Sequence, residues 1–363
     1  MPFEAQHLVV NPDDLTDCRI EQSEIPDPAP DRCILRIDRF ALTANNITYG
    51  LASSQLGYWE FFPWDGAYGR IPVWGFADVV ASAVADVREG TRVYGFLPMS
   101  SHLEIEPGKI TAHGMTDVAP ARQGKAPIYN QYSNCAADPI YAPEHEGMIS
   151  LFRPLYTTSF LLDDFFRTNA FFGAEAVVLT SASSKTALGM AQALRAGGTT
   201  DVQIIGLTSA GNSGFVQSLN LYDQVVTYDD LDSIMARSVA YVDMAGNGDV
   251  RRALHERYGD ALKHACLVGG THWTGRNRDV KGLPGPQPEF FFAPSYAQQR
   301  IADWGGPGFQ RRLGAAWFDF LSKAIDWIEV VETRGPEAVR SVYLQTQRGQ
   351  VPPNIGNVVS HAP

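Results

Sequence analysis

Residues 176–198, which read AVVLTSASSKTALGMAQALRAGG, decide the fold class of this chain. They open with a short apolar run that is typical of a buried strand, and small polar residues end that run. The apolar residues that follow recur at helical spacing, and Gly197 and Gly198 are expected to end the helix. A strand, a tight turn and a helix in this order form the first unit of a dinucleotide-binding fold, where the helix N-terminus faces the pyrophosphate.

The chain beyond residue 154 alternates strand patterns with helix patterns. Residues 156–166 (YTTSFLLDDFF) predict a helix that Thr157 or Thr158 would cap. This alternation predicts a parallel, doubly wound sheet with right-handed crossovers. A long amphipathic helix is expected over 309–331, and the run VYLQTQ at 342–347 predicts a strand. Further strands are predicted at 202–206, 224–228, 239–244, 265–269 and 289–293, and helices at 212–221, 230–237 and 250–258.

The first 150 residues have a different pattern, with short alternating stretches at 33–40, 77–84 and 92–98 separated by Gly and Pro. This pattern predicts a small β-barrel-like domain. Inside it, residues 41–68 are rich in Tyr, Trp and Phe. Two interpretations are open for that segment: a hydrophobic core or subunit contact, or the apolar wall of a substrate pocket.

Composition and charge narrow the class of protein. The chain has 363 residues, 45% of them hydrophobic and 19% charged, which suits a two-domain soluble enzyme. Its net charge of −11 argues against nucleic acid or an anionic membrane as the main partner. No apolar run approaches the ~20 residues that span a bilayer, and no signal peptide is evident. The four cysteines show no ligand spacing, so we expect reduced thiols, no metal site and a cytoplasmic protein.

Four stretches resemble the medium-chain dehydrogenase/reductase superfamily, in particular its zinc-independent quinone-oxidoreductase and enoyl-reductase branch. VVLTSASSKTALGMAQAL resembles the strand, glycine-rich turn and helix of that branch. IIGLTS resembles the strand end that meets the adenosine ribose, and LYDQVVTYDDL resembles the strand after it. In the first domain, FALTANNITYG resembles the segment that lines the catalytic cleft.

The resemblance implies an α/β protein that forms a divergent branch of the superfamily. It implies a GroES-like β-rich catalytic domain at 1–153 and a Rossmann nucleotide-binding domain at 154–300. Residues 301–363 would then form a helix and return to the catalytic domain. The same resemblance implies a nicotinamide cofactor, a small-molecule substrate and a homodimer.

The predicted phosphate-binding turn departs from the family pattern, because the G-x-G-x-x-G fingerprint is absent. Ser181, Ser183, Ser184, Lys185 and Thr186 stand in its place and are the candidate cofactor-binding residues. Serine is small enough to permit close approach, and its hydroxyl can donate to a phosphate. Lys185 would add a positive charge beside that phosphate; the alternative is a solvated surface lysine.

The residues after the second strand predict which nicotinamide cofactor is bound. NAD-binding proteins place an acidic residue there for the ribose 2′-hydroxyl. Here Thr208 and Ser209 follow the strand, and the first acidic residue is Asp223, which favours NADP. Three further candidates follow later strands, where cofactors bind at the carboxyl edge of a sheet: Tyr228, Gly269 and His272.

Tyr49 is the candidate proton donor, because reducing an activated double bond needs a proton source besides the hydride. Asn46 would orient the substrate carbonyl. A purely structural tyrosine and an asparagine that satisfies a turn are the alternatives. The leading hypothesis is therefore an NADP(H)-dependent oxidoreductase that acts on an apolar carbonyl, enone or enoyl-type molecule. A non-redox lyase or isomerase, and a non-catalytic nucleotide-sensing protein, are the alternatives.

Overall fold

The computed structural model describes residues 2–51, 57–198, 201–268 and 282–362. The chain divides into two compact units. Unit one is formed by Met1–Leu151 together with Glu329–Pro363, and unit two by Phe152–Ile328. The domain boundaries expected from the sequence, after residues 153 and 300, stay a prediction.

Unit one is rich in strands. Its strands are β1 (Phe3–Asn11), β2 (Asp14–Ile25), β3 (Cys33–Leu42), β4 (Pro72–Ser82), β5 (Arg92–Pro98), β6 (His102–Ile105), β7 (Pro107–Thr111), β8 (Gly114–Asp117) and β9 (Gln131–Asn134), with β16 (Glu329–Arg334) and β17 (Ile355–Ser360) from the end of the chain. β1 and β2 form an antiparallel pair. The larger sheet runs in the order β16-β17-β3-β4-β5-β9-β8-β7, and β6 pairs with β3. Its helices are α1 (Ala44–Leu51) and α8 (Pro336–Gln347).

The prediction of a strand at 342–347 is wrong, because these residues belong to α8. The buried side chains of α8 are Val339, Val342, Tyr343 and Thr346, which recur at the spacing of one helix face. VYLQTQ looks strand-like only when it is taken without the residues before it. Pro336 at the first helical position also favours a helix start there.

Unit two contains a six-stranded parallel sheet. Its strands are β10 (Ala176–Leu179), β11 (Gln203–Thr208), β12 (Gln224–Thr227), β13 (Val239–Asp243), β14 (Leu262–Leu267) and β15 (Glu289–Phe290). The spatial order is β12-β11-β10-β13-β14-β15, which is the doubly wound order of a Rossmann fold. The helices that follow are α3 (Lys185–Ala196), α4 (Ala210–Ser218), α5 (Gly248–Tyr258), α6 (Ala293–Trp304) and α7 (Gly306–Trp327). The predicted fold class, a β-rich part plus a Rossmann parallel-sheet part, is confirmed.

Two helices predicted in this region are shorter, or end earlier, in the structure. The predicted helix at 230–237 is only the 3-10 turn Leu231–Ser233. The predicted helix at 309–331 is α7, which ends at Trp327, and the chain then enters β16. The sequence of β16, EVVETR, contains two adjacent valines, and β-branched side chains suit a strand. These residues therefore pair with β17 as a strand and do not continue the helix.

The helix expected at 156–166 is longer than predicted. It is α2 (Glu146–Thr168), and Thr157 and Thr158 lie in its interior instead of capping it. Their hydroxyls donate to the carbonyls of Arg153 at 2.7 Å and Pro154 at 3.2 Å. Such bonds to the preceding turn leave the helix intact, so neither threonine marks a helix start.

Candidate functional site

The candidate site of unit two lies where β10 ends. β10 is a central strand of the parallel sheet, with β11 on one side and β13 on the other. The direction of winding reverses between β10 and β13, and doubly wound folds bind ligands in the crevice at that point. The turn at 180–184 leaves the strand there and leads directly into α3.

The backbone of this turn matches the predicted strand, turn and helix. Ser181 has a φ of 50°, in the left-handed region that favours glycine. Ser184 is the N-cap of α3, and its hydroxyl accepts from the Ala187 N–H at 3.3 Å. The first N–H groups of a helix have no carbonyl partner inside the helix and carry its positive dipole end. The turn therefore presents a helix start of the kind that binds phosphate groups.

Two tyrosines hold the turn in place. The Ser181 N–H donates to the hydroxyl of Tyr228 at 2.9 Å. The hydroxyl of Tyr222 donates to the Ala182 carbonyl at 2.9 Å. Burial raises the pKa of Tyr228 above its ordinary value, so this phenol stays neutral. Tyr228, predicted to contact the cofactor, thus touches the turn itself.

Gly206 allows β11 to approach the turn closely. A Cβ at this position would lie 2.9 Å from the Cβ of Ala182 and 2.9 Å from the Tyr222 ring. The Ala182 N–H also donates to the carbonyl of Leu207 at 2.9 Å. The small size of Gly206 and of Ala182 is therefore what allows β11 and the turn to pack closely.

A buried polar network lies beneath the turn, and the sequence did not reveal it. The Thr180 hydroxyl donates to Asp243 Oδ1 at 3.0 Å and accepts from the N–H groups of Met244 at 2.9 Å and Ala245 at 3.1 Å. Arg251 Nη2 donates to Asp243 Oδ2 at 2.8 Å. Asp243 is 2% exposed and sits at the end of the otherwise apolar strand VAYVD. An acidic residue at the end of such a strand was the signal that could have found it.

The polar side chains proposed for the phosphate lie along the turn and the start of α3. Ser183 Oγ accepts from Asn212 Nδ2 at 3.0 Å, which leaves its own hydrogen available to donate. The Thr186 carbonyl accepts from the Ser159 hydroxyl at 2.8 Å. Lys185 is half-buried, and desolvation lowers the pKa of its ammonium group to about 8. A nearby anion would favour the charged form of this lysine.

The residues after β11 carry no carboxylate at the carboxyl edge of the sheet. Thr208 ends β11, with a buried side chain and a carbonyl that accepts the Tyr228 N–H at 3.1 Å. Ser209 is exposed and is the N-cap of α4. Asp223, the first acidic residue, accepts from the Ile204 N–H at 2.8 Å, near the opposite end of the strand. Its carboxylate is therefore positioned away from the turn.

Two predicted cofactor-binding residues, Gly269 and His272, lie outside the described residues. Their contribution stays a prediction. In the described ranges, no group of three or more His, Cys, Asp or Glu side chains is placed to hold a metal ion. Within the same ranges, no helix has the length and apolar character needed to cross a bilayer.

The predicted catalytic residues Tyr49 and Asn46 lie on α1 in unit one. Asn46 is 3% exposed; its Oδ1 accepts from the Thr43 N–H at 2.8 Å, and its Nδ2 donates to the Pro72 carbonyl at 3.0 Å. These contacts favour the alternative in which Asn46 satisfies a turn. The Tyr49 hydroxyl accepts from Trp74 Nε1 at 3.4 Å. Burial raises the pKa of Tyr49 well above its ordinary value, which keeps its proton on the oxygen.

The aromatic segment at 41–68 contributes much of its surface to the interior of unit one. The Tyr49 ring lies 4.3 Å from the Tyr58 ring, and Phe61 lies 5.2 Å from Phe96 between ring centroids. Four of the segment's aromatic side chains are buried: Tyr49, Tyr58, Phe61 and Phe62. These four side chains pack as the interpretation of the segment as hydrophobic core predicts.

Comparisons with known proteins place the chain in a family. Residues 40–352 match the family described as protein of unknown function (DUF2855). The chain belongs to this family. No curated protein sequence matches it.

Solved structures share the fold of this DUF2855 protein at low identity. CurA from Vibrio vulnificus in complex with NADPH is 14% identical, with a TM-score of 0.62 over 99% of both chains. The quinone oxidoreductase from Coxiella burnetii is 12% identical, with a TM-score of 0.56 over 99% of both chains. A mutant enoyl thioester reductase from Candida tropicalis is 12% identical, with a TM-score of 0.56 over 99% of this chain and 100% of that one. The DUF2855 chain therefore has the fold of these three proteins.

Proposed function

We propose that this DUF2855 protein is an NADP(H)-dependent oxidoreductase of the zinc-independent quinone-oxidoreductase and enoyl-reductase branch of the medium-chain dehydrogenase/reductase superfamily. Its substrate class would be an apolar carbonyl, enone or enoyl-type small molecule. The observation that carries this proposal is the turn after β10, which is held by Tyr222, Tyr228 and Thr180 at the start of α3. The fold shared with a protein solved with NADPH supports it.

The residues of the turn fit a pyrophosphate although the glycine fingerprint is missing. The left-handed Ser181 supplies the backbone turn that a glycine would otherwise supply. Ala182 and Gly206 keep side-chain bulk low beside it. The start of α3, the Ser183 hydroxyl and the Lys185 ammonium group add donors and positive charge for phosphate oxygens.

The preference for NADP(H) rests on the start of α4. Ser209 and Asn212 stand where an NAD-binding protein has an acidic side chain, and Asp223 is held near the other end of β11. A carboxylate at that point would repel a 2′-phosphate, whereas hydroxyl and amide groups can donate to it.

When bound, NADPH would supply a hydride for transfer to the substrate. The chain's own part is to hold the cofactor and substrate in register and to place a donor at the developing enolate. Tyr49 is proposed for that donor, because it lies in the FALTANNITYG segment, which resembles the cleft lining of the superfamily. Burial raises its pKa, so the phenol is protonated at neutral pH. Its contact with Trp74 Nε1 uses the oxygen as acceptor and leaves the hydroxyl hydrogen to donate.

Titration of the intact protein with NADPH and NADH, followed by nucleotide fluorescence, tests cofactor binding. We expect saturable binding with a lower Kd for NADPH. Asn212→Asp should weaken the binding of NADPH more than the binding of NADH, because it places a carboxylate at the start of α4. Asn220→Asp makes the same charge change in the exposed turn after α4 and should leave the preference unchanged. Absence of binding of either nucleotide at millimolar concentration would rule the proposal out.

Turnover on a panel of enones, quinones and enoyl thioesters tests the reaction. Oxidation of NADPH that depends on substrate, with a reduced kcat in Tyr49→Phe, is the expected result. Substrate conversion without net NADPH oxidation would favour the lyase or isomerase alternative. Tight nucleotide binding with no conversion of any compound would favour a nucleotide-sensing protein.

A further inference from the structure

Arg70 of unit one has an unusual environment for a charged side chain. It is half-buried in the loop that leads into β4. Its Nη2 donates to the Pro63 carbonyl at 2.7 Å, and its Nε points to the Phe62 carbonyl at 3.4 Å. The guanidinium carbon lies 4.9 Å from the centre of the Trp64 ring. These contacts fix the orientation of the guanidinium group, and neither hydrogen bond uses Nη1.

No carboxylate of the described residues lies within ion-pair distance of Arg70, although the chain has a net charge of −11. Arg92 of the same unit shows the ordinary arrangement. It reaches Glu146 at 2.6 Å, Asp38 at 2.7 Å and Asp78 at 3.0 Å. A partly buried guanidinium normally has such partners, because desolvating an unpaired charge is costly.

A second guanidinium group adds to the positive charge around Arg70. Arg122 is 3% exposed and stacks on the Phe62 ring at 4.3 Å. Its Nε donates to Asp117 at 2.8 Å, while its buried Nη1 has no hydrogen-bond partner. Burial, followed by the charge of Arg122, lowers the pKa of Arg70 to about 10, so Arg70 still carries its charge at neutral pH.

A neighbouring titratable group, His7, cannot neutralise this charge. His7 is 2% exposed, and its two ring nitrogens bond to the hydroxyls of Ser100 and Ser23, each at 2.8 Å. Burial, with the charge of Arg70, lowers the pKa of His7 to about 3, so the imidazole is neutral. Among the described residues, the only carboxylate that bonds to either arginine is that of Asp117, which accepts from Arg122.

We propose that Arg70 is the anchor of an anion-binding site in unit one that takes the carboxylate or phosphate group of a small acidic ligand. The two carbonyl contacts aim the guanidinium group, and Nη1 supplies the donor for the anion. Arg122 contributes its charge at longer range. The proposal does not rest on the nucleotide site of unit two or on the proposed oxidoreductase activity.

Titration of the intact protein with sodium phosphate and with sodium acetate tests the site, with sodium chloride at matched ionic strength as reference. The readouts are tryptophan fluorescence, because Arg70 lies over Trp64, and the midpoint of thermal unfolding. We expect a saturable response to at least one of the two oxyanions and none to chloride. The stronger response identifies phosphate or carboxylate as the preferred group.

Arg70→Gln should weaken this binding about ten- to a hundredfold, the usual effect of losing a charge-assisted hydrogen bond. Arg70→Lys should bind with intermediate strength, because it keeps the charge and loses the planar fork. The control Arg88→Gln removes a charge from an exposed arginine of the same unit and should behave as wild type. If Arg70→Gln does not fold, the wild-type titration and Arg70→Lys decide the matter. Wild-type responses no larger than those to chloride, or equal oxyanion binding in wild type and Arg70→Lys or Arg70→Gln, would overturn the proposal.

Discussion

Replacing Thr180 by valine tests the network beneath the turn, because valine has the shape of threonine and carries a methyl group in place of the hydroxyl. That hydroxyl makes three hydrogen bonds: one to the Asp243 carboxylate and two from the N–H groups of Met244 and Ala245. Asp243 keeps its bonds from Arg251 and from the Gly246 N–H at 2.8 Å. The carboxylate therefore remains paired, and the loss falls mainly on the two backbone N–H groups.

Leaving the buried Met244 N–H without its bond costs about 1–3 kcal/mol, and losing the bonds to Asp243 and to the part-buried Ala245 N–H adds about 1 kcal/mol. Partial relaxation of the backbone should bring the observed loss to about 3 kcal/mol. We expect Thr180→Val to lower the free energy of unfolding by this amount in denaturant titration followed by circular dichroism. NADPH binding should also weaken, since the turn begins at Thr180.

Thr346→Val provides the control, because Thr346 is also buried and its hydroxyl makes a single bond to the Val342 carbonyl of its own helix. That carbonyl already accepts within the helix, so we expect a change below about 1 kcal/mol. Equal stability losses in the two variants would refute the reasoning. So would a Thr180→Val protein as stable as wild type.

Three further predictions follow from particular contacts. Gly206→Ala places a Cβ 2.9 Å from the Cβ of Ala182 and should cost about 1–3 kcal/mol and weaken NADPH binding; unchanged stability in thermal unfolding would contradict the close approach. Tyr228→Phe removes the acceptor of a turn N–H and should cost about 1 kcal/mol, with a raised NADPH Kd in fluorescence titration as the check. Burial lowers the pKa values of His7 to about 3 and His361 to about 4, so the unfolded chain binds more protons as the pH falls below about 6.5. Between pH 7 and pH 5, each of these two histidines should lower the free energy of unfolding by about 2 kcal/mol. A denaturant midpoint that does not fall over this range would disprove the effect.

The Rossmann part of the fold was predictable because its signal is local. Each buried strand of a parallel sheet is a short apolar run, and each crossover helix repeats its apolar residues at helical spacing. Short segments whose local sequence is compatible with both a helix and a strand were predicted less well. The strand-like run VYLQTQ became the helix α8, and the end of the helix at 309–331 became β16. For β16, pairing with β17, which comes later in the chain, decided between two locally acceptable structures. For α8, the apolar spacing that begins at Val339 and the proline at the helix start decided it.

The candidate site divides in the same way. The turn residues Ser181–Lys185 and the lack of an acid after β11 can be read from neighbouring positions. The contacts of Tyr222 with Ala182, and of Asp243 with Thr180, join residues 40 and 63 positions apart. Nothing in the local sequence of either partner announces such a pair.

For this DUF2855 protein, residue type and spacing were sufficient to predict the parallel, doubly wound sheet of unit two and the turn between β10 and α3. The reason is that backbone propensity and apolar periodicity act over a few residues. Whether a polar side chain serves a ligand or its own backbone depends on which groups the folded chain brings to it. Asn46 bonded to Thr43 and Pro72, and Arg70 facing Arg122 without a carboxylate, received these surroundings only from tertiary packing.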